Sequence, residues 1–352
     1  MTRSWHRRIA GLAAALAVAV SSPVSASGWT TPGRIYVPGG NIAYSATIGT
    51  NGTVRAAAEG GLSGPGLFYV TTGGSERIVG GERYYFESAI TAQRISGHTR
   101  VRVAWVDTLD RTALWLTRDH GGSWLSSRVW IGTAHDVAMA PLGDGVAIAF
   151  RDGKHRLRYL TWDATHGPSA VDVVAPGCCR GAPSLVVKGH TARIAFAESA
   201  GSHRVRLASG SRGGTWSIST VDTHDGDAPS VALRADGTPV LAYERSGAGV
   251  WWAWRHAGAW SHQQVFPNGY IDAAIAADSS GRVVAVADGA QLKYRRLDVA
   301  SSTRTLARVS ALHVDGLYHP VVGLSGGKGV VTFASFCGCA GDGGGIWLTR
   351  QE

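Results

Sequence analysis

The chain has 352 residues, 34 Lys and Arg against 25 Asp and Glu, a formal net charge of +9, and 48 Gly, 13 Trp and 4 Cys. The positive excess forms no basic stripe with interleaved aromatics, which argues against a nucleic-acid partner, and no apolar run is long enough for a membrane-spanning helix. So many glycines and tryptophans suit tight turns between aromatic-rich strands.

In chain order, Arg3, Arg7 and Arg8 precede an apolar run of 12 residues (9–20), and the small residues Val24-Ser25-Ala26 follow it. This is the layout of a secretory signal peptide over residues 1–26. It leaves residues 27–352 as one soluble, exported, monomeric domain with no membrane partner. Loss of the three arginines lowers the net charge to +6.

A repeat then recurs seven times. Each copy contains an alternating apolar strand, such as Val101-Arg102-Val103-Ala104-Trp105 or Val240-Leu241-Ala242-Tyr243. These strands end at Glu59, Asp107, Asp152, Glu198, Arg245, Asp288 and Ser335, spaced 43 to 48 residues apart. A period of two residues argues for strands and against a helical solenoid. About four short strands and their turns fit this period, which is one blade of a β-propeller. Turn sequences such as Thr50-Asn51-Gly52-Thr53 and Ala235-Asp236-Gly237-Thr238 join the first strand to the second. Third strands include Leu67-Phe68-Tyr69 and Trp251-Trp252-Ala253, and a fourth strand opens at Trp124, Trp216 or Trp260.

The tryptophan spacing predicts how the ring closes. Trp124, Trp216 and Trp260 precede the next second-strand end by 28 or 29 residues, and Trp29 precedes Glu59 by 30. Trp29 is therefore a fourth-strand tryptophan without a blade of its own before it. The expectation is a seven-bladed β-propeller of four-stranded blades, its last blade completed by the N-terminal strand.

Thr117-Arg118-Asp119-His120-Gly121-Gly122-Ser123-Trp124 fits the S/T-x-D-x-G-x-S/T-W pattern. Residues 209–216 are a degraded copy with Ser211 at the acid position, and residues 255–260 keep only the turn and the tryptophan. The chain resembles the sialidase-like (BNR/Asp-box) propeller superfamily. That resemblance implies that Asp119, Gly121 and Trp124 form a structural turn in which the acid accepts backbone N–H groups and the tryptophan packs between blades. The arginines, nucleophile and acid of catalytic sialidases have no assignable counterparts here, so sialidase catalysis is not carried over.

If these turns occupy one face, the second-to-third loops and the blade-to-blade connections occupy the other and ring the channel. The ligand candidates on that face are His135, Asp136, Arg180, His224, Asp225, Asp227, Tyr270, Asp272, Tyr318 and His319. Glu82, Tyr84, Tyr85, Glu87, Asn268 and Asp315 lie on the same connections. His224-Asp225-Gly226-Asp227 is the densest group; it reads either as an acid/base or metal site or as a solvated turn with capping carboxylates. The acids ending the second strands recur, so each is expected to serve its own loop, and Arg245 and Ser335 mark blades that depart from the rule. Cys178 with Cys179 and Cys337 with Cys339 are expected as two local disulfides in an oxidising compartment. A vicinal pair at residues 178–179 would offer a rigid apolar plate for a sugar ring. No cofactor is required, although a metal such as calcium is compatible with the carboxylates. The function expected is recognition of an extracellular glycan or other cell-surface ligand. The alternative is a glycan-active enzyme, a glycoside hydrolase or polysaccharide lyase, using the His, Asp and Tyr groups of the same face.

Overall fold

The computed structural model describes residues 29–36, 44–59, 66–80, 86–107, 111–199, 201–267, 272–278, 281–287, 290–297, 303–312, 316–336 and 345–352. The described strands form antiparallel sheets, built from consecutive strands except where the N-terminal strand joins the last sheet. Sheet 1 contains Tyr44–Ile48, Val54–Glu59, Leu67–Thr71 and Gly74–Val79. Sheet 2 contains Phe86–Ile95, His98–Asp107, Ala113–His120 and Ser123–Ile131. Sheet 3 begins with Ala134–Leu142, Gly145–Asp152 and Leu157–Asp163. Sheet 4 contains Ser184–Lys188, Thr191–Ala197, Val205–Gly210 and Ser217–Asp222. Gly226–Leu233, Pro239–Arg245, Gly249–His256 and Ala259–Phe266 form sheet 5. Sheet 6 contains Asp272–Asp278, Gly281–Ala287, Gln291–Arg296 and Arg304–Arg308, and sheet 7 contains Gly316–Ser325, Lys328–Phe336 and Gly345–Arg350.

The first strand of each sheet packs beside the first strand of the next, and Tyr44–Ile48 meets Gly316–Ser325 to close the ring. An apolar cluster fills every seam. Ile90, Val103 and Leu67 lie between sheets 1 and 2, for example, and Val205, Leu207 and Tyr243 between sheets 4 and 5. At the closure the Gly323 backbone packs against sheet 1, where a Cβ would lie 2.7 Å from the Ile48 side chain.

The expectation of a uniform set of seven four-stranded blades is corrected. Six sheets have four strands, and sheet 3 has five because its outer edge is split into Gly167–Pro168 and Asp172–Ala175. Pro168 has no N–H to continue the ladder. Ser169 instead bonds Thr161 through both its main chain and its hydroxyl.

The N-terminal closure is present. Gly33–Tyr36 is the outer strand of sheet 7 beside Gly345–Arg350, and Trp29 bridges Gln351. Thr30 N–H donates to the Arg350 carbonyl at 2.8 Å, and its hydroxyl accepts the Arg350 N–H at 3.0 Å. The buried Trp29 ring meets Tyr294 of sheet 6 at 4.6 Å. Trp124 meets Tyr69 of sheet 1 at 5.2 Å, and Trp216 meets Tyr159 of sheet 3 at 5.0 Å. All three tryptophans reach back across a seam to a third-strand tyrosine, the register inferred from spacing. In the Asp119 turn, Gly121 and Gly122 take left-handed φ values of 62° and 89°. Gly122 N–H points to the Asp119 carboxylate at 3.5 Å.

Candidate functional site

Second-to-third loops and sheet-to-sheet connections share a face, bound together through main-chain groups. Gly153 N–H donates to Thr133 O, Cys178 N–H to His155 O, and Ser246 N–H to Asp225 O. On this face two of the recurrent acids, Asp152 and Glu198, serve their own sheets. Asp152 is buried and accepts Arg156 Nε and Arg158 Nε at 2.8 Å, with the N–H groups of Lys154 and Arg156 at 2.9 Å. Burial alone would raise its pKa, but these donors hold it below the usual carboxylate range. Glu198 does the same with Arg204 at 2.7 Å and Arg206 at 2.8 Å.

Sheet 5 reverses the charge. Arg245 stands at the acid position, and its Nε donates to Asp222 Oδ2 at 2.6 Å, an acid on the outer strand of sheet 4. Its guanidinium lies 3.7 Å from the Trp251 ring centroid. Asp222 also accepts the Tyr243 hydroxyl at 2.7 Å and the His224 N–H and Nδ1 at 3.1 and 2.8 Å. Burial opposes its ionisation, but Arg245, His224 and Tyr243 hold it well below the ordinary range.

Arg180, Asp225 and Asp227, distant in sequence, meet here. Arg180 reaches Asp225 at 2.9 Å and Asp227 at 3.2 Å, and His203 Nδ1 lies 3.0 Å from Asp225. Glu244 is the cross-strand partner of Asp227. Burial, then the charges of Asp227 and Asp272, push its carboxyl up to about 7. Sequence reasoning passed over His203, Asp222 and Glu244. Only their closeness in sequence to His224 and Arg245 signalled the last two.

The remaining candidates are spread around the ring. His135 contacts Arg111, and Asp136 accepts Arg151 Nε at 2.6 Å. The Asp136 N–H donates to Glu87 at 2.6 Å. Burial, with Arg111 and Arg151, lowers His135 to about 4. Asp272 accepts the His319 N–H at 3.1 Å, and the His319 carbonyl accepts the Tyr44 hydroxyl at 2.6 Å. Tyr318 packs beside His319 at 6.4 Å. Asp136, Ala228 and His319 occupy left-handed φ at bulges in the first strands of sheets 3, 5 and 7. Tyr270, Cys337, Cys339, Glu82, Tyr84, Tyr85, Asn268, Asp288 and Asp315 lie outside the described residues, as does the side chain of Glu59.

Cys178 and Cys179 form a disulfide. The reading of this pair as a surface for a sugar ring is corrected. Both are buried, at 0% and 6% exposure, among Ala138, Tyr159, Leu185 and Phe196 between sheets 3 and 4. Among the described residues, no group of three or more His, Cys, Asp or Glu side chains is placed to hold a metal ion.

Concave space lies on the opposite, hairpin face, in two successive seams. Between sheets 4 and 5 is a groove of about 640 Å³ lined by Arg193, Ser209, Ser219, Asp236, Thr238 and Arg255. Between sheets 3 and 4 is one of about 570 Å³ lined by Tyr159, Thr161, Asp163, His166, His190 and Arg212. Each is made by the third and fourth strands of one sheet and two hairpin turns of the next. Those turns include the degraded copies of the Asp119 turn. At residues 209–216 the missing acid is supplied from the neighbouring sheet: Asp172 accepts the Gly213 N–H at 2.9 Å and the Trp216 indole at 3.4 Å. Its counterpart Trp260 keeps a buried indole N–H with no partner.

No protein-family model and no curated protein matches this chain. Among solved structures, it is similar to the fungal lectin of Aleuria aurantia, described as a six-bladed β-propeller with a novel mode of fucose recognition. Identity is 13% and TM-score 0.54, over 79% of this chain and 98% of that one. AofleA from Arthrobotrys oligospora is similar at 11% identity and TM-score 0.55, over 81% and 93%. A protein of unknown function from Dyadobacter fermentans is similar at 12% identity and TM-score 0.54, over 92% and 99%. These likenesses establish the β-propeller fold. The expected blade count thus meets a six-bladed neighbour on one side and, in this chain, six four-stranded sheets plus the five-stranded sheet 3 on the other.

Proposed function

We propose that this chain is a secreted, monomeric, sialidase-like propeller that recognises an extracellular glycan, with sugar-sized sites in successive seams. The observation that carries this reading is the pair of equivalent polar grooves between sheets 3 and 4 and sheets 4 and 5. Each combines hydroxyl, carboxylate, imidazole or guanidinium groups suited to the hydroxyls of a sugar. The connection-face groups, by contrast, are largely engaged with one another. The lectin neighbours support a glycan as the ligand class.

The test is retention of the protein on a panel of immobilised glycans, scored together with release of soluble products. Expected is retention without product, weakened about tenfold by Arg255→Ala or His190→Ala through loss of a charge-assisted or polar contact. Retention unchanged in both variants would remove the grooves as the site. Glu244 supports the second reading, a glycoside hydrolase. A carboxyl near pKa 7 beside the carboxylate of Asp227 has the character of an acid and base pair. Product release abolished by Glu244→Gln would establish that reading instead.

A further inference from the structure

The seam between sheets 2 and 3 is built from the same strand positions but closes differently. Arg102, on the second strand of sheet 2, is 6% exposed and faces Arg118 across the strand pair. Both guanidinium groups lie over the ring of Trp162 from sheet 3, at 5.9 and 5.3 Å from its centroid. Arg102 Nη2 donates to the Asp144 carbonyl, and Gln93 Nε2 to the Gly143 carbonyl, both in the first turn of sheet 3. This leaves Arg102 Nη1 and Gln93 Oε1 buried with no partner. Burial, with Arg100 and Arg118 close by, lowers the Arg102 pKa, and the opposing field of Asp144 comes without an ion pair. A buried guanidinium beside two others, none paired with an acid, is an unbalanced charge.

We propose that this seam is an anion site for the acidic group of a carbohydrate, a carboxylate or a sulfate ester. Arg102 Nη1 forms its base, and Arg118 and Arg100 form its rim. The guanidinium fork matches the paired oxygens of either group. Arg118 is half-buried and Arg100 exposed, so the anion approaches past flexible side chains, with Arg118 turning from the Trp162 ring to meet it. The carbohydrate part rests on the glycan reading above; the anion part stands on the arginines alone.

Calorimetry on the full chain separates the two, with oligogalacturonate, its methyl-esterified neutral form, a sulfated disaccharide, its desulfated form and inorganic sulfate as probes. Expected is about tenfold tighter binding of an acidic form than of its neutral counterpart, a preference that shrinks with added salt. Arg102→Met and, at a half-buried position, Arg118→Ala should each abolish the preference, and the second keeps the test valid if the first fails to fold. Preference for the uronate, for the sulfated sugar or for both identifies the source of the anion. Sulfate binding lost in Arg118→Ala, with no sugar bound, would sustain the anion site and sink the glycan reading. Neutral sugars bound with no gain from the acidic group would do the reverse. An acidic preference intact in Arg118→Ala overturns the site.

Discussion

Sheets 3 and 5 solve the same electrostatic problem in opposite ways. In sheet 3, Asp152 ends the second strand and gathers Arg156, Arg158 and two N–H groups of its own loop, so the charge is balanced within one sheet. In sheet 5 the position is Arg245, and the balancing acid, Asp222, comes from sheet 4 with Tyr243 and His224 around it. Reversed charge at the same strand position turns a local loop clamp into a staple across a seam. The staple sits beside the groups that gather on the connection face, Arg180, His203, Asp225 and Asp227.

The largest effect should come from removing each acid. Asp222→Ala leaves the half-buried Arg245 guanidinium without its acid and the buried Tyr243 hydroxyl with only His262 Nδ1, at 2.9 Å, and is expected to cost about 3–5 kcal/mol in urea unfolding. Its hydrogen-exchange protection should fall on both Ser217–Asp222 and Pro239–Arg245. Asp152→Ala should lose protection only within sheet 3. Equal, single-sheet effects for both variants would dissolve the contrast. Asp222 is held below its ordinary pKa, so its stabilisation is present above about pH 4 and lost as pH falls through the folded value.

Next in size is the coupling itself. A double-mutant cycle of Asp222→Asn with Arg245→Met should give an interaction energy of about 2 kcal/mol. A value near zero would reduce the staple to proximity.

The smallest effect concerns Glu244, which follows the opposite sign. Its folded pKa, about 7, lies above the unfolded value of about 4.3, so the folded chain binds the extra proton and loses stability as pH rises through 7. Glu244→Gln should remove that decline and be more stable than the parent by about 1 kcal/mol at pH 8, after discounting for solvent screening, with little change at pH 4. Parallel pH curves for the two proteins would show that neither burial nor the charges of Asp227 and Asp272 raise this carboxyl.

Much of the architecture was legible because a repeat writes the same physical demand many times. Period-two apolar strands, turn residues at fixed offsets and a tryptophan at the head of the fourth strand predicted the propeller. The offset of Trp29 predicted the closure that its contacts with Tyr294 and Gln351 display. Strand count was less legible, since the break at Pro168 depends on which N–H the ladder needs. The candidate site was legible only as a region. Residues 224–227 stood out by composition, whereas Asp222 and Glu244 take their character from burial and from partners on other strands. Asp172 shows the same limit, filling the role of an acid that the turn at residues 209–216 lacks.

The sequence by itself determined the strand pattern, the repeat and the closing strand, because periodicity and turn chemistry act over a few residues at a time. Only the tertiary structure decided which charges are balanced within a sheet and which across a seam. It also decided that Cys178–Cys179 is buried, that the open grooves lie on the hairpin face, and that Arg102 is buried with a donor to spare. Those properties depend on distance and desolvation set by which sheets meet at a seam, and no local pattern encodes them.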